Sequence, residues 1–190
     1  MSTNGTHQDP IAIAQQWLNA FAAGFRANDA QAVAATFQPG GFLRDVLTFM
    51  WDYHTLEGRE NIQAYLSDKF ALSKVSGFAL TNDPYLQPKP FQMGPLRGIE
   101  FAFKYQTPTA HGQGFTRLIE DKKDGWQGHI VAMIVMDLKG HEEPTRRYSF
   151  EEFVNGKSWG DYMHDLRASW EKDPHVLVGA HTCHSSLVYF

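Results

Sequence analysis

An α+β fold is predicted, and three features of the 190-residue sequence predict it. Two amphipathic helical stretches open the chain, a third follows a strand-like segment, and a series of alternating strands separated by turn signals comes next. In the first stretch, 10–27, Asp9 is placed to cap, Pro10 suits the first helical position, and Ala14, Trp17, Leu18, Phe21 and Phe25 form one apolar stripe. Asn28-Asp29 breaks it and opens a short second helix carrying Val33 and Phe37, expected to end at Pro39-Gly40-Gly41. Residues 42–56 are rich in aromatic and branched side chains and read as one long strand, or two strands joined by a bend. Glu57-Gly58-Arg59-Glu60 then turns into a third helix with Ile62, Tyr65, Leu66 and Phe70 at helical spacing.

The second half reads as β structure. A strand is expected at 75–81, followed by a loop whose Pro84, Pro88, Pro90 and Pro95 exclude a central strand. In 97–107, Ile99, Phe101, Phe103 and Tyr105 alternate with Glu100, Lys104 and Gln106, which gives a half-buried strand. Residues 113–120 give another, 121–125 a charged hairpin turn, and 126–138 the last strand. From 130 to 136 that strand is apolar on both faces, so it is either central or covered by a second subunit. This places a domain at 10–140 and an extension at 141–190, with a helix over 158–172 bearing Trp159, Tyr162, Met163, Leu166 and Trp170.

Composition narrows the function. Seventeen basic and 21 acidic residues leave a net charge of -4, which gives no electrostatic case for nucleic acid or an anionic membrane surface. The single cysteine, Cys183, cannot form an internal disulfide, and the short polar start lacks a signal-peptide apolar region; a cytoplasmic protein is the expectation. No stretch approaches the roughly 20 apolar residues of a membrane span. Neither His181-Thr182-Cys183-His184 nor His141-Glu142-Glu143 has the spacing of a metal site, and no glycine loop is built to cradle phosphates, so no metal and no cofactor is expected.

Counted along a single strand, Asp45 shares a face with Leu43, Leu47, Phe49, Trp51 and Tyr53. A carboxylate among apolar neighbours is poorly solvated, and acids so placed are candidates for proton transfer. Arg44, Asp52 and His54 fall on the other parity, and a bend would bring the two sets together. Asp52 and His54, two apart, could form a carboxylate–imidazole pair for general acid–base work. Trp17, Phe21, Trp51, Phe101, Phe103, Tyr105 and Met133 are the candidate apolar walls of a substrate pocket, with Arg44 as a polar contact. The alternative for Asp45 is a structural carboxylate, and for the aromatics a plain core.

The order helix, helix, strand, helix, antiparallel strands, with Gly58-Arg59-Glu60-Asn61-Ile62 opening the third helix, resembles the NTF2-like superfamily in its SnoaL-like and ketosteroid-isomerase-like branch, over about 10–140. The resemblance implies a cone-shaped fold in which three helices and a curved antiparallel sheet enclose an apolar pocket. It places Asp45 at the branch's catalytic aspartate. Phe21 stands where the branch supplies an enolate-stabilising tyrosine, and the second acid is missing near Thr116, so any developing oxyanion needs another donor: Tyr105, Arg44 or His54.

A narrower resemblance is carried by Gly41-Phe42-Leu43-Arg44-Asp45-Val46-Leu47-Thr48-Phe49-Met50-Trp51-Asp52-Tyr53-His54-Thr55-Leu56-Glu57-Gly58, by Lys139-Gly140-His141-Glu142-Glu143, and by Asp173-Pro174-His175-Val176-Leu177-Val178. These segments are similar to the N-terminal domain of fungal-type flavin-dependent monooxygenases and its linker. After Val178 the chain lacks the G-x-G-x-x-G loop of their dinucleotide-binding domain, so flavin and NADPH binding do not carry over and 175–190 reads as a stub of that strand. The two resemblances together imply a cofactor-independent cyclase or isomerase, pericyclic (Diels–Alder-type) catalysis included, acting on a small hydrophobic specialised metabolite as a homodimer. The alternatives are a non-catalytic ligand-binding or dimerisation module and a degenerate remnant of a monooxygenase.

Overall fold

The computed structural model describes residues 9–143 and 158–173. Helix α1 spans Pro10–Ala27; the Asp9 carboxylate accepts from the Ile11 N–H at 3.0 Å, a cap that contributes about 1 kcal/mol. Its apolar stripe is buried as expected, Phe21 completely. Helix α2, Ala30–Ala35, is capped in the same way by Asp29, through the Ala32 N–H.

Phe37 does not belong to α2. It opens β1, Phe37–Val46, which runs through Pro39-Gly40-Gly41 as a bulge: β1 meets its neighbour at Phe37 and again only from Phe42. Pro39 is tolerated there because the bulge makes no demand on its missing N–H. At Gly41 the backbones approach so closely that a Cβ would lie 2.7 Å from the Gly128 carbonyl oxygen. The chain then reverses through 47–52 into β2, Tyr53–Glu57, antiparallel to β1. Helix α3, Arg59–Ser73, follows. Arg59 fixes its start, donating to the Phe37 carbonyl at 2.7 Å and to Gln127 Oε1 at 3.1 Å.

The remaining strands are β3 (Ser76–Leu80), β4 (Lys89–Met93), β5 (Leu96–Gln106), β6 (Ala110–Asp121) and β7 (Gly125–Leu138). The sheet order is β2-β1-β7-β6-β5-β3, with β4 also pairing β5. The proline-rich stretch thus yields a short edge strand, where Pro90 costs no central ladder bond. β7 is central and runs parallel to β1, the one departure from the antiparallel expectation. The chain divides into two compact units, Met1–Glu143 and Pro144–Phe190. In the second, α4 (Trp159–Lys172) is closed at its start by a capping box between Ser158 and Asp161. The expected strand stub at 175–190, and His181, Cys183 and His184 with it, lie outside the described residues.

α1 covers the inner face of the sheet. Phe21 stacks on Trp17 at 4.9 Å and meets Phe25, Phe37, Phe78 and Phe103 at 5.0–6.1 Å between ring centroids. Phe101 sits edge-on to Trp17 at 6.0 Å. Phe21, Phe101 and Phe103, expected as open pocket walls, here pack with Trp17 as core, because aromatic edges and faces fill the space between α1 and the sheet.

Candidate active site around Asp45

Asp45 is fully buried. It lies near the end of β1, in one inner row with Met133 of β7 and, across it, Gly114 and Phe103. Its desolvation is offset by donors. Oδ1 accepts from the Thr48 N–H at 2.9 Å, the Phe49 N–H reaches both oxygens at 3.3–3.4 Å, and the Tyr65 hydroxyl donates to Oδ2 at 2.7 Å. The two backbone donors belong to the turn after β1, where Leu47 takes a φ of 67°, unusual for a branched side chain. The Asp45 carboxylate therefore also holds that turn closed.

The turn changes the strand parity. Because the chain reverses between Val46 and Tyr53, His54 becomes the direct register partner of Asp45 and shares its inner face. Its ring lies 5.4 Å from that of Tyr65, and its buried Nε2 has no hydrogen-bond partner among the described residues. The expected Asp52–His54 pair is not formed: Asp52 lies in the exposed turn and accepts from the Tyr53 N–H at 2.7 Å. Trp51 is 87% exposed on the same turn and walls no interior. Arg44 points to the outer face, where its guanidinium donates to the Thr55 hydroxyl and lies 5.7 Å from the Tyr53 ring centre. Tyr105 and Met133 are on the inner face, and the Tyr105 hydroxyl is 2.6 Å from Thr48 Oγ1.

Two functional neighbours of Asp45 were not singled out from sequence. Tyr65 showed only as one member of the α3 apolar stripe, and Thr48 gave no signal because its placement depends on the turn. Both tyrosines hold their protons more tightly than usual. Burial raises Tyr65 above its ordinary value, reinforced by the hydrogen bond to Asp45 and then by its charge. Burial likewise raises Tyr105, against the lowering effect of the Thr48 contact. Both are neutral hydroxyls at neutral pH, and together they join Tyr65, Asp45, Thr48 and Tyr105 into one polar chain inside an aromatic interior.

A groove of about 890 Å³ lies elsewhere, between α1, α2 and the β6–β7 turn. Trp17, Ala20, Ala32 and Trp126 line it, with Glu120 and Asp124 at the rim; Asp45 is not among its lining residues. Among the described residues no cluster of three or more His, Cys, Asp or Glu side chains is arranged to hold a metal ion. No helix there is long and apolar enough to cross a membrane.

A curved sheet wrapped by N-terminal helices around such an inner face is the NTF2-like, cystatin-like α+β fold. Among solved structures, the chain is similar to a domain of unknown function with a cystatin-like fold from Nostoc punctiforme (TM-score 0.51, 13% identity, covering 85% of this chain and 96% of that one). It is also similar to a ketosteroid isomerase-like protein from Erwinia carotovora atroseptica (TM-score 0.50, 14% identity, 68% and 98% covered). A third is a cystatin-like fold protein from Burkholderia xenovorans (TM-score 0.50, 15% identity, 73% and 96% covered). No protein-family model and no curated protein matches the sequence.

Proposed function

We propose that the protein is a cofactor-independent isomerase or cyclase for a small hydrophobic molecule, with Asp45 as the group that takes a proton from carbon and returns it. The observation that carries this reading is a fully buried carboxylate on the inner, aromatic face of an NTF2-like sheet. In so dry a setting a carboxylate is a strong local charge, and small movements of substrate against it change reactivity. The sequence resemblance supports the same position, since it puts Asp45 where the ketosteroid-isomerase-like branch has its base, and the likeness to monooxygenase front domains suits a specialised metabolite. Substrate reaches Asp45 when the 47–52 turn lifts, exchanging the Thr48 and Phe49 N–H contacts for contacts with the ligand. The C–H bond breaks toward Asp45, its electron pair moves into a conjugated acceptor, and the proton returns at another carbon, so nothing is consumed.

The protein acts as a homodimer in this reading. The outer face of β7 presents Ile130, Ile134 and Met136, the last 56% exposed, beside Phe42 and Phe115. Arg117, bonded to Glu100 at 3.1 Å, borders that face. A second reading, a non-catalytic ligand-binding or dimerisation module, is favoured by one observation: Asp45's oxygens are already engaged by the turn and Tyr65. The experiment that separates them is incubation of wild type and Asp45→Asn with extracts of metabolites, without added cofactor, followed by chromatography and mass spectrometry. Asparagine keeps an acceptor for the turn, so the variant folds. Loss of about 100-fold or more of the conversion is expected, the scale of a general acid–base group. Equal conversion by both rejects the proton-transfer role and leaves templating alone; conversion by neither supports the module.

A further inference from the structure

We infer that the groove between α1, α2 and the β6–β7 turn is a ligand site in its own right, which takes a small apolar molecule carrying a protonated amine. This site is separate from Asp45, which is not among its lining residues. It originates in α1. The inner row of that helix carries Trp17, Phe21 and Phe25, all buried, while Gln16, Ala20, Ala23 and Ala27 form an exposed outward row. A solvent-facing helix row is normally built from charged or polar side chains. Here three alanines stand in it, three or four residues apart, and so make one bare strip. α2 adds Ala32 and Ala35, and the β6–β7 turn adds Trp126, which is half-buried. The lining reaches from Ile13 to Ala27, about 21 Å of helix at 1.5 Å per residue. Its volume of about 890 Å³ lies within the roughly 300–1,000 Å³ of small-molecule sites.

Charge decides the class of ligand. The charged lining residues are Glu120 and Asp124, and no Lys, Arg or His side chain lines the groove among the described residues. Lys122 and Lys123 belong to the same turn but stay outside the lining. Arg59 approaches Asp124 only to 3.9 Å, and its guanidinium is spent on the Phe37 carbonyl and on Gln127. Two exposed carboxylates therefore border an apolar strip with one loose counter-charge. The Trp17 indole N–H is already given to the Thr36 carbonyl at 2.9 Å, so Trp17 offers a ligand ring surface rather than a donor. Carboxylates beside indole rings attract a cation twice, through their charge and through the negative face of the π system. An anion meets repulsion there, and a neutral molecule gains neither attraction.

The test uses three naphthalene probes of one shape and different charge: 1-naphthylmethylamine, 1-naphthylmethanol and 1-naphthoate. Binding to the full chain is measured by titration calorimetry and located by the indole N–H resonances, with that of Trp126 assigned by Trp126→Phe. The amine is expected to bind about tenfold tighter than naphthoate and about fivefold tighter than the alcohol, and to shift the Trp126 resonance. Salt at about 0.5 M is expected to remove most of that advantage. Glu120→Gln with Asp124→Asn keeps both side-chain shapes at exposed positions, so the protein folds. The pair is expected to weaken the amine by about fivefold, to the level of the alcohol, whose own affinity stays within about twofold. Ala20→Leu fills the strip with a good helix former and is expected to weaken amine and alcohol alike by about tenfold. Naphthoate binding as tightly as the amine overturns the cation class. Amine binding that Ala20→Leu leaves unchanged, an unmoved Trp126 resonance with the amine bound, or no binding of the amine at millimolar concentration overturns the site. Each of these results is distinct from equal conversion by wild type and Asp45→Asn, which removes Asp45's role alone.

Discussion

Tyr65 Oη, 2.7 Å from a carboxylate that no solvent reaches, shows how the interior manages a charge. Hydrogen bonds to a charged group contribute about 1.5–3 kcal/mol, and Tyr65→Phe deletes one without changing the ring packing against Phe49 and His54. Urea unfolding is therefore expected to show a loss in that range. The tyrosines also give a pH signature. The unfolded chain releases tyrosine protons near the ordinary value of 10.0, whereas the fold keeps those of Tyr65 and Tyr105 to higher pH. Above that point the folded state binds more protons than the unfolded one, so stability is complete below about pH 10 and falls as pH rises beyond it. A spectrophotometric titration at 295 nm, assigned by comparison with Tyr65→Phe and Tyr105→Phe, should find these two tyrosines ionising only as the protein unfolds. Ionisation of Tyr65 and Tyr105 near the ordinary value with the fold intact would contradict this.

Among the elements, β6 meets β5 through glycines. A Cβ on Gly112 would come 2.1 Å from the Tyr105 ring, and on Gly114 2.0 Å from the Phe103 ring. The rings of β5 lie over bare backbone, with Phe103 in the same inner row as Asp45. Gly114→Ala forces that ring aside, and overpacking of this kind costs about 1–3 kcal/mol, to be read from thermal or urea unfolding. No pattern in 110–121 announced this, because glycine on an inner strand face reads as weakness until its neighbour is known. The helices were legible: Asp9-Pro10 and Asp29 cap where they were expected to. The strand after α2 was legible only in part. Side-chain alternation gave Asp45 its inward face, but parity stops being informative at a reversal, and the reversal at 47–52 is held by side-chain-to-backbone bonds from Asp45 that no hydrophobic pattern reports. His54 was therefore brought to the face of Asp45 only by way of a bend, as the turn does, while Trp51 was assigned to the interior and Phe37 to a helix.

For the molecule as a whole, β7 is central in the sheet and its outer row is apolar, with Ile130 and Ile134 half-buried and Met136 exposed. Light scattering at micromolar concentration is expected to give a dimer, and Ile134→Asp a folded monomer; a monomeric wild type would remove that interface. The groove lined by Trp17 and Trp126 does not include Asp45, so in the proposed reading ligand access to Asp45 goes through the turn that Asp45 itself ties down. The proposed role of Asp45 comes down to transfer of a proton between carbon and its carboxyl. Incubation of metabolite extract with the protein in D₂O, read by mass spectrometry, measures that transfer without knowledge of the substrate. A compound that gains deuterium at carbon with wild type and not with Asp45→Asn is the expected result, and the same labelling by both proteins would contradict it.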